Sequence, residues 1–224
     1  MKDERLFSGE PRHVSPMNLR LLFEGSDSPT RQLVGFDLET YSLHGFPDGF
    51  EDPIVNFSLA VQNEVGLLIL SFISAPRFEL ELLKLLRSGL EAINGGVLLT
   101  YNGVRFDLQY AVRRSAEYGL DFKDVFQGFR HVDLYRLLRL SRVRLQGYGQ
   151  KSVERFLGIK RVVTDVTGAN YHKFYSKFLS DGDLRAVLYN IEDSVGCVRL
   201  AQVLPKFFKD DWIKYVLWGL LCGA

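Results

Sequence analysis

Val34-Gly35-Phe36-Asp37-Leu38-Glu39-Thr40 alternates with a period of two. Apolar Val34, Phe36 and Leu38 are interleaved with Gly35, Asp37 and Glu39, the pattern of a β-strand. Side chains two apart share a face of a strand. Phe36 and Leu38 can therefore pack inward while Asp37 and Glu39 stand together on the opposite face. Two like charges so placed repel, and burying them unpaired is costly. Either water solvates them or a cation neutralises them, and hard divalent ions such as Mg²⁺ take carboxylate oxygens. An isolated Asp-Xaa-Glu is ordinarily a solvated strand end. Its weight here comes from the motifs that follow.

Downstream lies a loop, Tyr41 to Pro53, rich in glycine, proline and aromatics. A loop this long within a domain is more often functional than idle. Phe46 and Phe50 either offer stacking surfaces to nucleic-acid bases or fold back as lids on the core. Two strands come next, Ile54–Gln62 and Val65–Phe72, joined at Asn63-Glu64 as a tight hairpin. Leucines between Arg77 and Ile93 recur with a helical period, and Asn94-Gly95-Gly96 stops that helix. Val97 to Tyr101 is short and apolar, a buried strand. Three strands, a helix and a strand make a mixed sheet with covering helices, α/β in class.

The second motif is Tyr101-Asn102-Gly103-Val104-Arg105-Phe106-Asp107-Leu108. Asn-Gly supplies a turn, and a helix is expected from Phe106 to Leu120. Asp107 in its first turn either complements the helix dipole or is a third carboxylate delivered from the C-terminal end of a strand, where open α/β sheets place their sites. From Asp121 to Arg161 the chain becomes basic, with Arg130, Arg136, Arg139, Arg142, Arg144, Lys151, Arg155, Lys160 and Arg161. Such a run can track a phosphate backbone or simply be a solvated face. Leu134 to Leu140 reads as a helix preceded by Asp133, a cap or supporting residue. Lys151 to Leu157 reads as another, ended by Gly158. The third motif, Tyr189-Asn190-Ile191-Glu192-Asp193, falls in a helix from about Asp183 to Leu204, closed by Pro205. Tyr189 and Asp193, four apart, are neighbours on one helix face.

At 224 residues the chain is one domain, or one with an appendage. A hydrophobic fraction of 46% suits a globular core, and a net charge of +1 leaves nucleic-acid binding to local clusters. The cysteines, Cys197 and Cys222, have neither metal-ligand spacing nor a disulfide pattern, which fits a reducing, cytoplasmic setting. Residues 1–32 form an extension of unassigned role, with no secretory signal. The run from Trp212 to Ala224 is too short to span a bilayer. Residues 205–224 are expected to form a hydrophobic helix that covers the protein's own core, docks on a partner or self-associates.

Taken together, the three motifs resemble the DEDD group of 3′–5′ exonucleases in its tyrosine-bearing subtype, within the ribonuclease H-like superfamily. The likeness is to the proofreading exonuclease domain of family B DNA polymerases. It rests on Phe36 to Glu39, Gly45-Phe46-Pro47, Asp52-Pro53-Ile54, Tyr101-Asn102-Gly103 with Phe106-Asp107-Leu108, and Tyr189 with Asp193. It covers about residues 33–204, with no polymerase palm or thumb beyond, so a stand-alone module is expected.

The resemblance implies a mixed five-stranded sheet whose first three strands are antiparallel. It implies a pair of divalent ions, Mg²⁺ or Mn²⁺, held by Asp37, Glu39, Asp107 and Asp193, with Tyr189 placing the attacking water. Thr40, Phe46, Asn102, Phe106, Arg144 and Lys151 would contact the substrate, which the resemblance implies is a single-stranded 3′ end of nucleic acid, single-stranded DNA by preference, releasing 5′-mononucleotides. The rival expectations are a catalytically silent nucleic-acid-binding module and a subunit of a DNA repair, replication or RNA-processing complex.

Overall fold

The computed structural model describes residues 32–207 apart from His44, Phe46, Asp48, Arg142 and Val143. The expected substrate contact Phe46, nearly all of the 1–32 extension, and residues 208–224 of the expected C-terminal helix lie outside the described residues.

The strands are β1 (Leu33–Thr40), β2 (Ile54–Gln62), β3 (Leu67–Ile73), β4 (Val97–Thr100) and β5 (Arg130–Asp133). They form a five-stranded sheet in the order β3-β2-β1-β4-β5. The β1–β2 and β2–β3 pairs are antiparallel, whereas β4 pairs parallel to β1 and β5 parallel to β4. The expected mixed α/β sheet is therefore present. The helices are α1 (Glu79–Ile93), α2 (Asp107–Glu117), α3 (Lys123–Gln127), α4 (Leu134–Leu140), α5 (Gln150–Phe156), α6 (Tyr171–Asp181) and α7 (Arg185–Phe207).

The alternation of β1 divides its side chains between two cores. Val34, Phe36 and Leu38 join Phe57 and Leu59 of β2, Leu82, Leu83, Leu86 and Leu90 of α1, and Tyr110 of α2. Leu33, on the other face, joins Ala60, Val97, Leu99, Leu137 and Leu138 of α4, Val153 of α5 and the C-terminal half of α7. Burying a leucine or phenylalanine contributes about 2 kcal/mol, so both faces of this central strand are anchored. α7 crosses the second face at Gly35. A Cβ built there would lie 2.0 Å from the Ser194 carbonyl oxygen. Only a residue without a side chain lets the helix come this close.

Several expected boundaries move. The β2–β3 hairpin has a four-residue loop, Asn63 to Gly66, because Gln62 pairs with Leu67. The Asn63 side chain accepts from the backbone N–H groups of Val65 and Gly66 at 2.9 and 3.1 Å, which keeps Val65 out of the strand. Pro205 does not close α7, which runs on to Phe207. A proline this close to a helix end forfeits only the bond to the Ala201 carbonyl, so the last turn continues past it. The helix after Asn102-Gly103 ends at Glu117, where Tyr118 caps it, three residues before the expected Leu120.

Candidate active site

Asp37 and Glu39 occupy the C-terminal half of β1, on the face that α7 crosses. A register shift between Glu39 and Thr40 ends the regular pairing with β2 just beyond them. Asp107 begins α2, reached from the C-terminal end of β4 through the Tyr101–Phe106 turn. That turn is held by Asp133, the N-cap of α4. Its carboxylate accepts from the backbone N–H groups of Asn102 at 3.0 Å and Val104 at 3.2 Å as well as from Arg136 at 3.2 Å. Asn102 itself sits at φ 66°, a left-handed conformation that asparagine tolerates. Tyr189 and Asp193 come from α7.

These elements converge. One carboxylate oxygen each from Asp37, Glu39 and Asp193 lies within 4.8 Å of the others. Asp107 joins them through β1, its Oδ1 accepting from the Leu38 N–H at 3.2 Å. Asn190, next to Tyr189, donates through Nδ2 to Asp37 Oδ2 at 2.7 Å. Ser58 Oγ in turn donates to the Asn190 carbonyl at 2.7 Å, which pins this turn of α7 to β2.

The electrostatics of the cluster run against ionisation. Burial, then the carboxylates of Asp193 and Asp107, push both Asp37 and Glu39 well above the usual carboxylate range. Asp107 is pushed up to about 7, chiefly by burial. Asp193 is also raised by burial, against the opposing pull of Arg161. Crowded hard oxygens that resist losing their protons are a donor set that a divalent cation satisfies, so these residues fit such an ion. Tyr189 is pushed far up by burial and by Asp193, Glu39 and Asp37, and it remains a neutral phenol. Lys151 Nζ lies 4.3 Å from the centre of its ring and donates to the Val166 carbonyl.

The acids line a cleft of about 730 Å³. Thr40, Asn102, Phe106 and Lys151 line it too, as do Tyr101, Tyr135 and Tyr148. Arg144 is exposed and is not among the lining residues, whereas Arg105 is. Phe50 folds back: its ring packs 5.2 Å from Tyr110, with the Arg113 guanidinium 4.1 Å from its centre. Of the two readings of the 41–53 loop, Phe50 takes the lid.

The basic run divides. Arg136, Arg139, Arg155 and Lys160 are exposed, Lys151 faces the cleft, and the Arg161 side chain is buried, 8% exposed. In the sequence Arg161 reads as one of a basic stripe, and Glu154, Gln150 and Asn190 have no apparent role. Asn190 could have been found from its place between Tyr189 and Asp193. Glu154 and Arg161 carry no such signal, because a turn at Gly158 separates them and only the fold brings them to Asp193.

A family model for the RNase_H superfamily matches residues 34–204. A DNA polymerase of Archaeoglobus fulgidus is 23% identical over 198 residues, covering 81% of this chain and 24% of that protein. A DNA polymerase of Methanocaldococcus jannaschii is 24% identical over 193 residues, 74% of this chain and 11% of that protein. Among solved structures, the family B DNA polymerase of the archaeon Pyrobaculum calidifontis aligns with a TM-score of 0.66 at 19% identity, over 90% of this chain and 28% of that one. An exonuclease I structure aligns with a TM-score of 0.59 at 13% identity, over 84% of this chain and 44% of that one. The chain thus spans about a quarter or less of the curated relatives it matches.

Proposed function

This chain belongs to the RNase H superfamily, and from that premise we propose that it is a metal-dependent 3′–5′ exonuclease. The reaction is hydrolysis of the terminal phosphodiester bond of a nucleic-acid strand, single-stranded DNA by preference, to a 5′-mononucleotide. The observation that carries this reading is the meeting of Asp37, Glu39 and Asp193 oxygens within 4.8 Å among the residues that line the cleft. The similarity to DNA polymerases and to an exonuclease I supports the choice of substrate.

Asp37, Glu39 and Asp193 would hold one Mg²⁺ or Mn²⁺ and Asp107, with Asp37, a second. A bound pair of this kind lowers the pKa of a water and stabilises charge on the leaving 3′ oxygen. The chain's own residues do the rest. Asn190 fixes one oxygen of Asp37, which leaves the other available to a cation. Tyr189, a neutral phenol, orients the attacking water and does not act as its base. Lys151 supplies positive charge beside Glu39 and the Tyr189 ring, where a scissile phosphate would lie. Asn102 and Phe106 receive the terminal nucleotide, the phenyl ring by stacking.

The test is cleavage of matched strands of DNA and RNA and of duplex ends, labelled at the 5′ end, in Mn²⁺ and in EDTA. The reading expects a ladder that shortens one nucleotide at a time from the 3′ end of single-stranded DNA, only with metal. Retardation of the strand without shortening would instead identify a binding module that has kept the fold.

A further inference from the structure

Arg161 is a buried cation that nothing in the proposed chemistry uses. It donates through Nε and Nη2 to Glu154 and through Nη2 to Asp193 Oδ1. The side chains of Arg161 and Glu154 are 8% and 2% exposed. Glu154 is fixed in turn: Gln150 Nε2 donates to it at 3.1 Å and to the Asp193 carbonyl at 2.8 Å. α7 presents Gly196 to it, where a Cβ would lie 2.1 Å from Glu154 Oε1. Nη1 of Arg161 has no partner among the described residues. A guanidinium kept only for stability would be expected to have its donors satisfied, since an unpaired buried donor costs about 1–3 kcal/mol.

We propose that Arg161 is a positioning residue of the metal site, a fixed cation that grips Asp193 by one oxygen, turns the other toward the ion and holds divalent affinity down. The proposal rests on the exonuclease reading above. The Asp193 carboxylate is shared between a guanidinium on one side and the place of the ion on the other. Positive charge one carboxylate away from a dication, at an effective dielectric of about 20, weakens its binding by at least about tenfold. Glu154 moderates the effect, because it neutralises part of the guanidinium. The two residues therefore act on the ion with opposite signs, which a purely structural ion pair would not do.

The experiment is a Mn²⁺ titration of the full chain without nucleic acid, followed by the electron paramagnetic resonance of the free ion. Turnover on single-stranded DNA is measured in parallel. Arg161→Gln is expected to bind Mn²⁺ about tenfold more tightly and Glu154→Gln at least about threefold more weakly. Arg161→Lys keeps the charge but loses the forked geometry. It is expected to leave Mn²⁺ affinity within about twofold while turnover falls about tenfold. Asp37→Asn is the control that weakens Mn²⁺ binding if the carboxylate cluster holds the ion. Should Arg161→Gln fail to fold, Glu154→Gln and Arg161→Lys decide the matter. Unchanged affinity in Glu154→Gln and Arg161→Gln beside a weakened Asp37→Asn would overturn the proposal and leave the metal reading standing. Equal binding by the natural protein and Asp37→Asn would remove the metal reading and this proposal with it.

Discussion

Arg114 and Arg161 each meet a buried glutamate, on opposite faces of the sheet, and only the first pair is closed. Glu79 accepts from the Ile54 N–H at 2.7 Å, from Arg114 Nε at 2.9 Å, from Arg114 Nη2 and from the Tyr118 hydroxyl at 2.8 Å. Arg114 Nη1 reaches the Phe50 carbonyl at 3.4 Å. Every nitrogen of that guanidinium has a partner, and together they tie α1, α2, β2 and the 41–53 loop into one unit. The Arg161 pair shares its charge with a cleft carboxylate and leaves one nitrogen over. The same two residue types thus make a staple where the network closes on itself, and part of a site where it does not.

The sharpest way to break this comparison is at the site. Asp37→Ala is expected to lower metal-dependent cleavage by about 1,000-fold or more. The fold should stay intact or gain stability, because the substitution removes repulsion as well as a ligand. Undiminished turnover would remove Asp37 from the chemistry. At the staple the effect should reverse in kind. Arg114→Met leaves Glu79 buried without its cation, held only by the Ile54 N–H and the Tyr118 hydroxyl, which costs about 3 kcal/mol of stability by chemical denaturation. Activity per folded molecule should stay within about twofold, and a large loss of activity would show that the staple also serves the cleft.

Tyr189→Phe is a smaller change within the site. About tenfold slower hydrolysis is expected, the worth of one positioning hydrogen bond, with Mn²⁺ affinity unaltered. Equal rates would leave the hydroxyl with only a packing task.

The smallest effect is in pH. Asp107 ionises near 7 when folded and near 3.8 when unfolded. Between those values the folded state holds a proton that the unfolded chain has lost, so stability falls as pH rises. The penalty is absent below about pH 4 and complete above about pH 7, and Asp37 and Glu39 act in the same direction. In EDTA the melting temperature should therefore drop by about 3 °C or more from pH 5 to pH 8 relative to Asp107→Asn. Mn²⁺ should restore more at pH 8 than at pH 5. Identical profiles for the two proteins would show that the fold does not hold the proton on Asp107.

What the sequence made legible follows from how far each signal reaches. The β1 alternation and the leucine period of α1 are local, and both elements lie where those patterns put them. Asn94 at φ 47° caps α1 where Asn-Gly-Gly marked a stop. β5, Arg-His-Val-Asp, has no alternation to announce it; its place comes from pairing with β4. α6 has only a faint signal too: Tyr171, Phe174, Tyr175 and Phe178 keep a helical spacing, but its aromatics are interspersed with charge. In the cleft, the carboxylates belong to short motifs and could be read one by one. That three of them share a space under 5 Å across could not, since it depends on α7 meeting β1 more than 150 residues later in the chain. The partners of Arg161 are equally non-local.

The contact of Gly35 with Ser194 has a consequence for how this protein tolerates change. Asp37 stands two residues along the strand from that contact, and Asp193 one residue before it in the helix. The gap between the two acids is therefore gauged by main-chain atoms, with no intervening side chain to swell or shrink. Substitutions that drift through either apolar cluster can alter its volume and leave this gauge at its setting, whereas a single methyl group at Gly35 would wedge the two jaws apart.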